Sequence, residues 1–110
     1  MESGHNDNGY WRKYGDGTLE MWGTTQFSGV NINLQDGWNY YSPGSKTIMM
    51  PVQSLTFVNP MVTARAACAP WASIPDTGLG LDRFLVWIYA STLNTGVNVW
   101  VNWRCFGTWK

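Results

Sequence analysis

The sequence predicts an all-β protein, a small antiparallel β-sandwich, on three observations. No segment makes a convincing helix, and seven or so short apolar segments are separated by Gly, Pro, Asn and Asp. The final segment, residues 97–106, alternates over its whole length. Val97, Val99, Val101, Trp103 and Cys105 fall on one face, and Asn98, Trp100, Asn102 and Arg104 on the other. The first face reads as core. The second sets one large aromatic among amides and a guanidinium, which suits a subunit seam or a wet recognition surface.

Taken in order, residues 1–8 are polar and without period, and read as the end of a linker or a joint to something upstream, with the domain proper at 9–110. Residues 10–14 and 18–22 flank Gly15-Asp16-Gly17 and read as a β-hairpin, with Leu19 and Met21 on one face. Asp36-Gly37 marks a second turn and Ser42-Pro43-Gly44-Ser45 a third, holding Trp38, Tyr40 and Tyr41 between loops. Residues 46–50 and 54–58 are short strands, each stopped by a proline. Residues 61–67 alternate, and residues 70–83, with two prolines and two glycines, read as irregular. Residues 84–90, FLVWIYA, are apolar throughout and read as a strand buried on both faces; Asn94-Thr95-Gly96 then turns into the last strand.

The 110 residues fit one domain, which buries roughly two-thirds of its unfolded surface. Yet 45% of them are hydrophobic and 13% charged, against about 25% charged in an average domain. That apolar excess calls for a partner chain. A net charge of zero lacks the field of a nucleic-acid binder, and no run reaches the roughly 18 apolar residues of a membrane span. The start has neither the basic nor the apolar region of a signal peptide, so no Sec export by this segment is expected. Cys68 and Cys105 could form one bridge, but read more simply as free buried thiols in apolar segments.

The stretch GYWRKYGDGTLEMWG at 9–23, with the terminal VNWRCFGTWK, resembles the C-terminal domain of bacteriophage tail-fibre proteins. In that family a G-x-W-x-K-x-x-D-G hairpin opens the domain and a W-x-x-x-G-x-W/Y-K strand ends the chain. The middle stretch TIMMPVQSLTFVNPMVTAR is similar to the family's strand, proline and P-x-V-x-A passage, whereas 24–46 and 70–83 match no family motif. The resemblance implies a β-sandwich homotrimer at the distal end of a fibre, carried by an upstream shaft. It implies contact with a bacterial lipopolysaccharide, capsule glycan or outer-membrane protein, and synthesis in the host cytoplasm. A phage fibre and that of a phage-tail-like bacteriocin would read alike.

A glycan adhesin uses aromatic side chains against the apolar side of sugar rings, with amides, carboxylates and arginine around them. Trp38, Tyr40 and Tyr41, and Trp71 with Asp76, Asp82 and Arg83, are the candidate ligand residues. Trp100, Asn98, Asn102 and Arg104 are assigned to the subunit seam. Core packing competes for every tryptophan, most strongly for Trp11, Trp22, Trp87, Trp103 and Trp109. Glycoside hydrolysis needs two carboxylates roughly 5–9.5 Å apart. With Asp16 and Asp36 in turns and Glu2 and Asp7 in the start, only Glu20, Asp76 and Asp82 remain, so no catalysis is expected. His5 is the one histidine and has no partner at ligand spacing, so neither metal nor cofactor is expected. A structural cap for the fibre and a monomeric lectin are the alternatives.

Overall fold

The computed structural model describes residues 2–56, 58–75 and 78–110. Among these described residues ten strands follow in chain order: β1 Glu2–Asn6, β2 Gly9–Lys13, β3 Thr18–Ile32, β4 Leu34–Asp36, β5 Asn39–Tyr41, β6 Lys46–Met49, β7 Met61–Arg65, β8 Trp71–Ser73, β9 Arg83–Ala90 and β10 Asn94–Thr108. All pairings are antiparallel. The first sheet runs β1-β2-β3-β10-β7; in the second, β9 pairs with β5, β6 and β8, and β4 adds to β5. The molecule is elongated, 46 × 24 × 16 Å, because β3 and β10 form a 15-residue ribbon down its length.

The core lies between the sheets. Leu19, Met21, Val30 and Ile32 of β3 and Val99, Val101, Trp103 and Cys105 of β10 meet Ile48 of β6 and Phe84, Val86, Ile88 and Ala90 of β9. Each large side chain sealed there stabilises the fold by about 1.5–3 kcal/mol. The β10 face read as core is therefore the core, with only Val97 half-buried.

The first hairpin forms as the sequence predicts. The N–H of Gly17 donates to Tyr14 O at 3.1 Å and the N–H of Tyr14 to Thr18 O at 2.9 Å. Gly17 sits at φ +98°, a backbone shape that L side chains adopt rarely. The Asp16 carboxylate accepts from the Thr18 N–H at 2.9 Å, and this bond holds its pKa below the ordinary value.

Several segments differ from the sequence-based expectation. Residues 2–6, expected to lack regular structure, are β1, paired with β2 along its full length. Pairing backbone to backbone needs no apolar period, and Trp11 lies over Gly4, where a β-carbon would collide with its ring. β3 continues well past Trp22 to Ile32. Its inward residues are Leu19 and Met21, then Val30 and Ile32, and the pairs Val99↔Phe27 and Val97↔Val30 show a bulge between them. The extra residue at Ser28-Gly29 breaks the alternation and hides the strand.

Residues 54–56 and 58 do not join a ladder; Phe57 lies outside the described residues. Ser54 is buried and bridges the sheets: its N–H donates to Leu81 O at 2.8 Å, and its Oγ accepts from the Thr108 N–H at 3.1 Å. The irregular stretch 70–83 contains β8, a short strand on β9. β9 itself is not buried on both faces. Phe84, Val86, Ile88 and Ala90 are sealed, while Leu85, Trp87 and Tyr89 are only half-buried.

Cys68 and Cys105 are both free. Cys105 lies in the core, but Cys68 is half-buried in the turn after β7, closed by the Ala69 N–H donating to Ala66 O at 3.2 Å. No helix is long and apolar enough to cross a membrane among the described residues.

Candidate functional site

Cross-strand pairing decides which of the candidate residues meet. Tyr89, next to the last residue of β9, lies opposite Tyr41 of β5 on one side and Trp71 of β8 on the other, and Tyr41 lies opposite Leu34 of β4. Directly opposed residues share a face, so Leu34, Tyr41, Tyr89 and Trp71 form one row across four strands. Trp71 stacks on Tyr89 with centroids 6.0 Å apart and planes 7° from parallel. Tyr41 tilts against Tyr89 at 6.1 Å and meets Trp87 edge-on at 6.0 Å. Trp71 and Leu34 are each 41% exposed. The result is a wide aromatic surface, held flat by the sheet beneath it and open to solvent on the isolated chain.

Two of the predicted ligand residues, Tyr41 and Trp71, thus come together, joined by Tyr89 and Trp87, which the sequence-based assignment missed. Trp87 reads there as core because FLVWIYA shows no polar face. The usable signal is that Trp87 and Tyr89, its fourth and sixth residues, alternate with the smaller Val86, Ile88 and Ala90. Trp38 is 92% exposed at the tip of the β4–β5 hairpin, beside this row in the chain but outside its pairing. Tyr40 turns inward and packs on the core opposite Ala90, so it is not a surface residue of this face. Its neighbours alternate, and only one of two adjacent tyrosines can point outward.

Arg83 shares the outer side of β9 with Leu85, Trp87 and Tyr89 but lies six residues from Tyr89, about 20 Å along the strand. It pairs with Asp82, Nε to Oδ1 at 3.1 Å and Nη2 to Oδ2 at 3.2 Å, and this partner holds the Asp82 carboxyl below its ordinary range. Asp76 lies outside the described residues.

The face of β10 assigned to a seam is the outer face of the first sheet, and three of its four residues, Trp100, Asn102 and Arg104, have partners within the chain. The guanidinium of Arg65 lies 5.0 Å from the Trp100 ring, and the Thr24 hydroxyl donates to Asn102 Oδ1 at 2.7 Å. Arg104 donates to Glu20, a nearly buried carboxylate that also accepts from the Tyr14 hydroxyl at 2.9 Å. Asn98 is exposed. One further row crosses all five strands of this sheet: His5, Tyr10, Trp22, Arg104 and Met61 stand directly opposite one another in turn.

The two quoted ends of the chain form one structure. Gly107 and Thr108 pair with Leu19 and Thr18, and the Trp109 N–H donates to Gly17 O at 3.0 Å. The Trp109 indole Nε1 donates to Tyr14 O at 2.6 Å, and the Lys13 ammonium lies 5.7 Å from its ring. Among the described residues, no three His, Cys, Asp or Glu side chains gather at metal-binding distance.

No protein-family model matches the chain, and no curated protein matches it. Among solved structures, its fold is similar to that of the R1 pyocin fibre of P. aeruginosa, in a structure comprising C-terminal residues 323–701 of that protein. The TM-score is 0.58 at 14% identity, over 97% of this chain and 28% of that one. The chain therefore has a tail-fibre-like fold and spans about a quarter of the length of the fibre fragment it matches.

Proposed function

We propose that this chain is the receptor-binding end of a phage or phage-tail-like bacteriocin fibre, which attaches to a bacterial surface glycan or outer-membrane protein without chemical turnover. The observation that carries the reading is the open aromatic row Tyr41, Tyr89 and Trp71, backed by Trp87, on a chain whose fold is tail-fibre-like. Rings fixed by cross-strand neighbours lose little entropy on contact, so such a row favours binding through apolar faces. Trp38 at the nearby hairpin tip extends the reach of that surface.

The chain acts as a homotrimer in this reading, joined to an upstream shaft, with Asn98 and Trp100 at the seam. The acids also favour binding over hydrolysis: Glu20 is tied to Arg104 and Tyr14, and Asp82 to Arg83. The test is capture of outer-membrane vesicles by immobilised protein. Trp71→Ala and Tyr89→Ala, chosen on the solvent side of the sheet, each reduce capture at least about tenfold while the circular dichroism spectrum is unchanged. Capture that survives both substitutions refutes this placement of the site.

A further inference from the structure

A marked concavity among the described residues lies on the other sheet, and neither the reading of β10 as a seam nor the aromatic row accounts for it. It is a groove of about 640 Å³ where the β1–β2 hairpin ends. Its position follows from strand lengths. β2 begins at Gly9 and pairs with β3 only as far as Trp22, so beyond that point β3 runs on without β2 beside it. The hairpin turn, Asp7 and Asn8, stands at one end of the hollow, and Thr24, Asn102 and Thr63, opposed across β3, β10 and β7, form the row beside it.

The lining is mixed in a particular way. Tyr10 and Trp22, stacked at 5.7 Å with planes 8° from parallel, give an aromatic wall whose open part is the half-exposed Tyr10, since His5 lies 5.4 Å from Tyr10 and the Arg12 and Arg104 guanidiniums lie 5.7 and 5.4 Å from the Trp22 ring. The other wall supplies hydroxyl and amide groups, and Asp7 supplies a carboxylate. The Arg104 guanidinium also lines the groove, but its charge is already balanced by Glu20 and its plane leans 5.4 Å from the Trp22 ring. Asn102 presents its amide nitrogen, since its Oδ1 already accepts from Thr24.

We propose that this groove is a binding site for one neutral pyranose unit. Neutralised arginine together with the Asp7 carboxylate disfavours an anionic ligand. Alternating hydroxyls on one side and C–H groups on the other match a ring whose one wall is aromatic and whose rim is amide, hydroxyl and carboxylate. A groove of this volume accommodates a sugar ring, not a protein segment in a standard interface. The site is separate from the aromatic row, and stands whether or not that row binds a receptor.

The test is a two-dimensional NMR titration of the labelled protein with the methyl pyranosides of glucose, galactose, mannose and N-acetylglucosamine, and with methyl glucuronide as the anionic control. Millimolar binding of at least one neutral sugar is expected, with shifts concentrated at the amides of Asn8, Tyr10, Gly23 and Asn102 and at the Trp22 indole. Asn102→Ala and Asp7→Asn, both surface changes, weaken that affinity at least about tenfold. Three results overturn the proposal: no shift with any neutral sugar, preference for the glucuronide, or shifts at Tyr41, Trp71 and Tyr89 instead.

Discussion

Gly107 and Ser54 show how one contact ties the chain end to the rest. A β-carbon on Gly107 would run into Ser54 Oγ, and Ser54 is sealed in place by its bonds to Leu81 and Thr108. Neither side can move away freely. Gly107→Ala is therefore expected to destabilise the fold by about 1–3 kcal/mol, read as a lower urea midpoint with an unchanged m-value. The cysteines divide by burial: desolvation pushes the Cys105 thiol up to about 12, so in the native protein Cys68 alone reacts with a thiol reagent at neutral pH, and both react in denaturant. The unfolded chain releases that Cys105 proton near 8.5, whereas the folded chain keeps it. The folded state then binds more protons, so this contribution is full below the unfolded value and is lost as pH rises toward about 12. Cys105→Ala flattens the alkaline limb of a stability profile, and an unaltered limb would contradict the assignment.

Among the elements, legibility followed chemistry. The first hairpin and β10 were legible because turn residues and a strict period of two declare themselves locally. The second half of β3 was not, since one bulged residue at Ser28-Gly29 moves Val30 and Ile32 out of phase with Met21. β1 was hidden because it is held by backbone pairing, not by apolar side chains. Tyr41 and Trp71 were legible as surface aromatics, but their joining by Tyr89 depends on pairing across strands distant in sequence. The hairpin and the chain end also form one unit that neither motif shows alone. Trp109→Ala removes the bond to Tyr14 O and the cover over the turn. Faster hydrogen exchange at Tyr14 and Gly17 is expected, with the amides of β9 unaffected; equal acceleration in both places would mean that Trp109 supports the whole fold instead.

For the molecule as a whole, the two sheets have unlike outer faces. That of the first is tied together by cation and amide contacts around Trp22, Trp100 and Glu20. That of the second leaves its rings uncovered. Exposed apolar side chains remain on both, Tyr10, Met61 and Phe106 on the first sheet and Leu34 and Trp71 on the second, where a receptor or a neighbouring chain would cover them. The proposed homotrimer predicts a light-scattering mass near three chains of 12.4 kDa that persists on dilution; a stable monomer would move the lectin reading ahead of the fibre end. The central claim is attachment through the second-sheet face. Its most direct measurement is flow cytometry of fluorescently labelled protein on a panel of Gram-negative strains, comparing the native chain with the Trp71→Ala/Tyr89→Ala double variant at equal mass. The account predicts saturable staining of at least one strain by the native protein and its loss in the variant. Equal staining by both, or none on any strain, would contradict it.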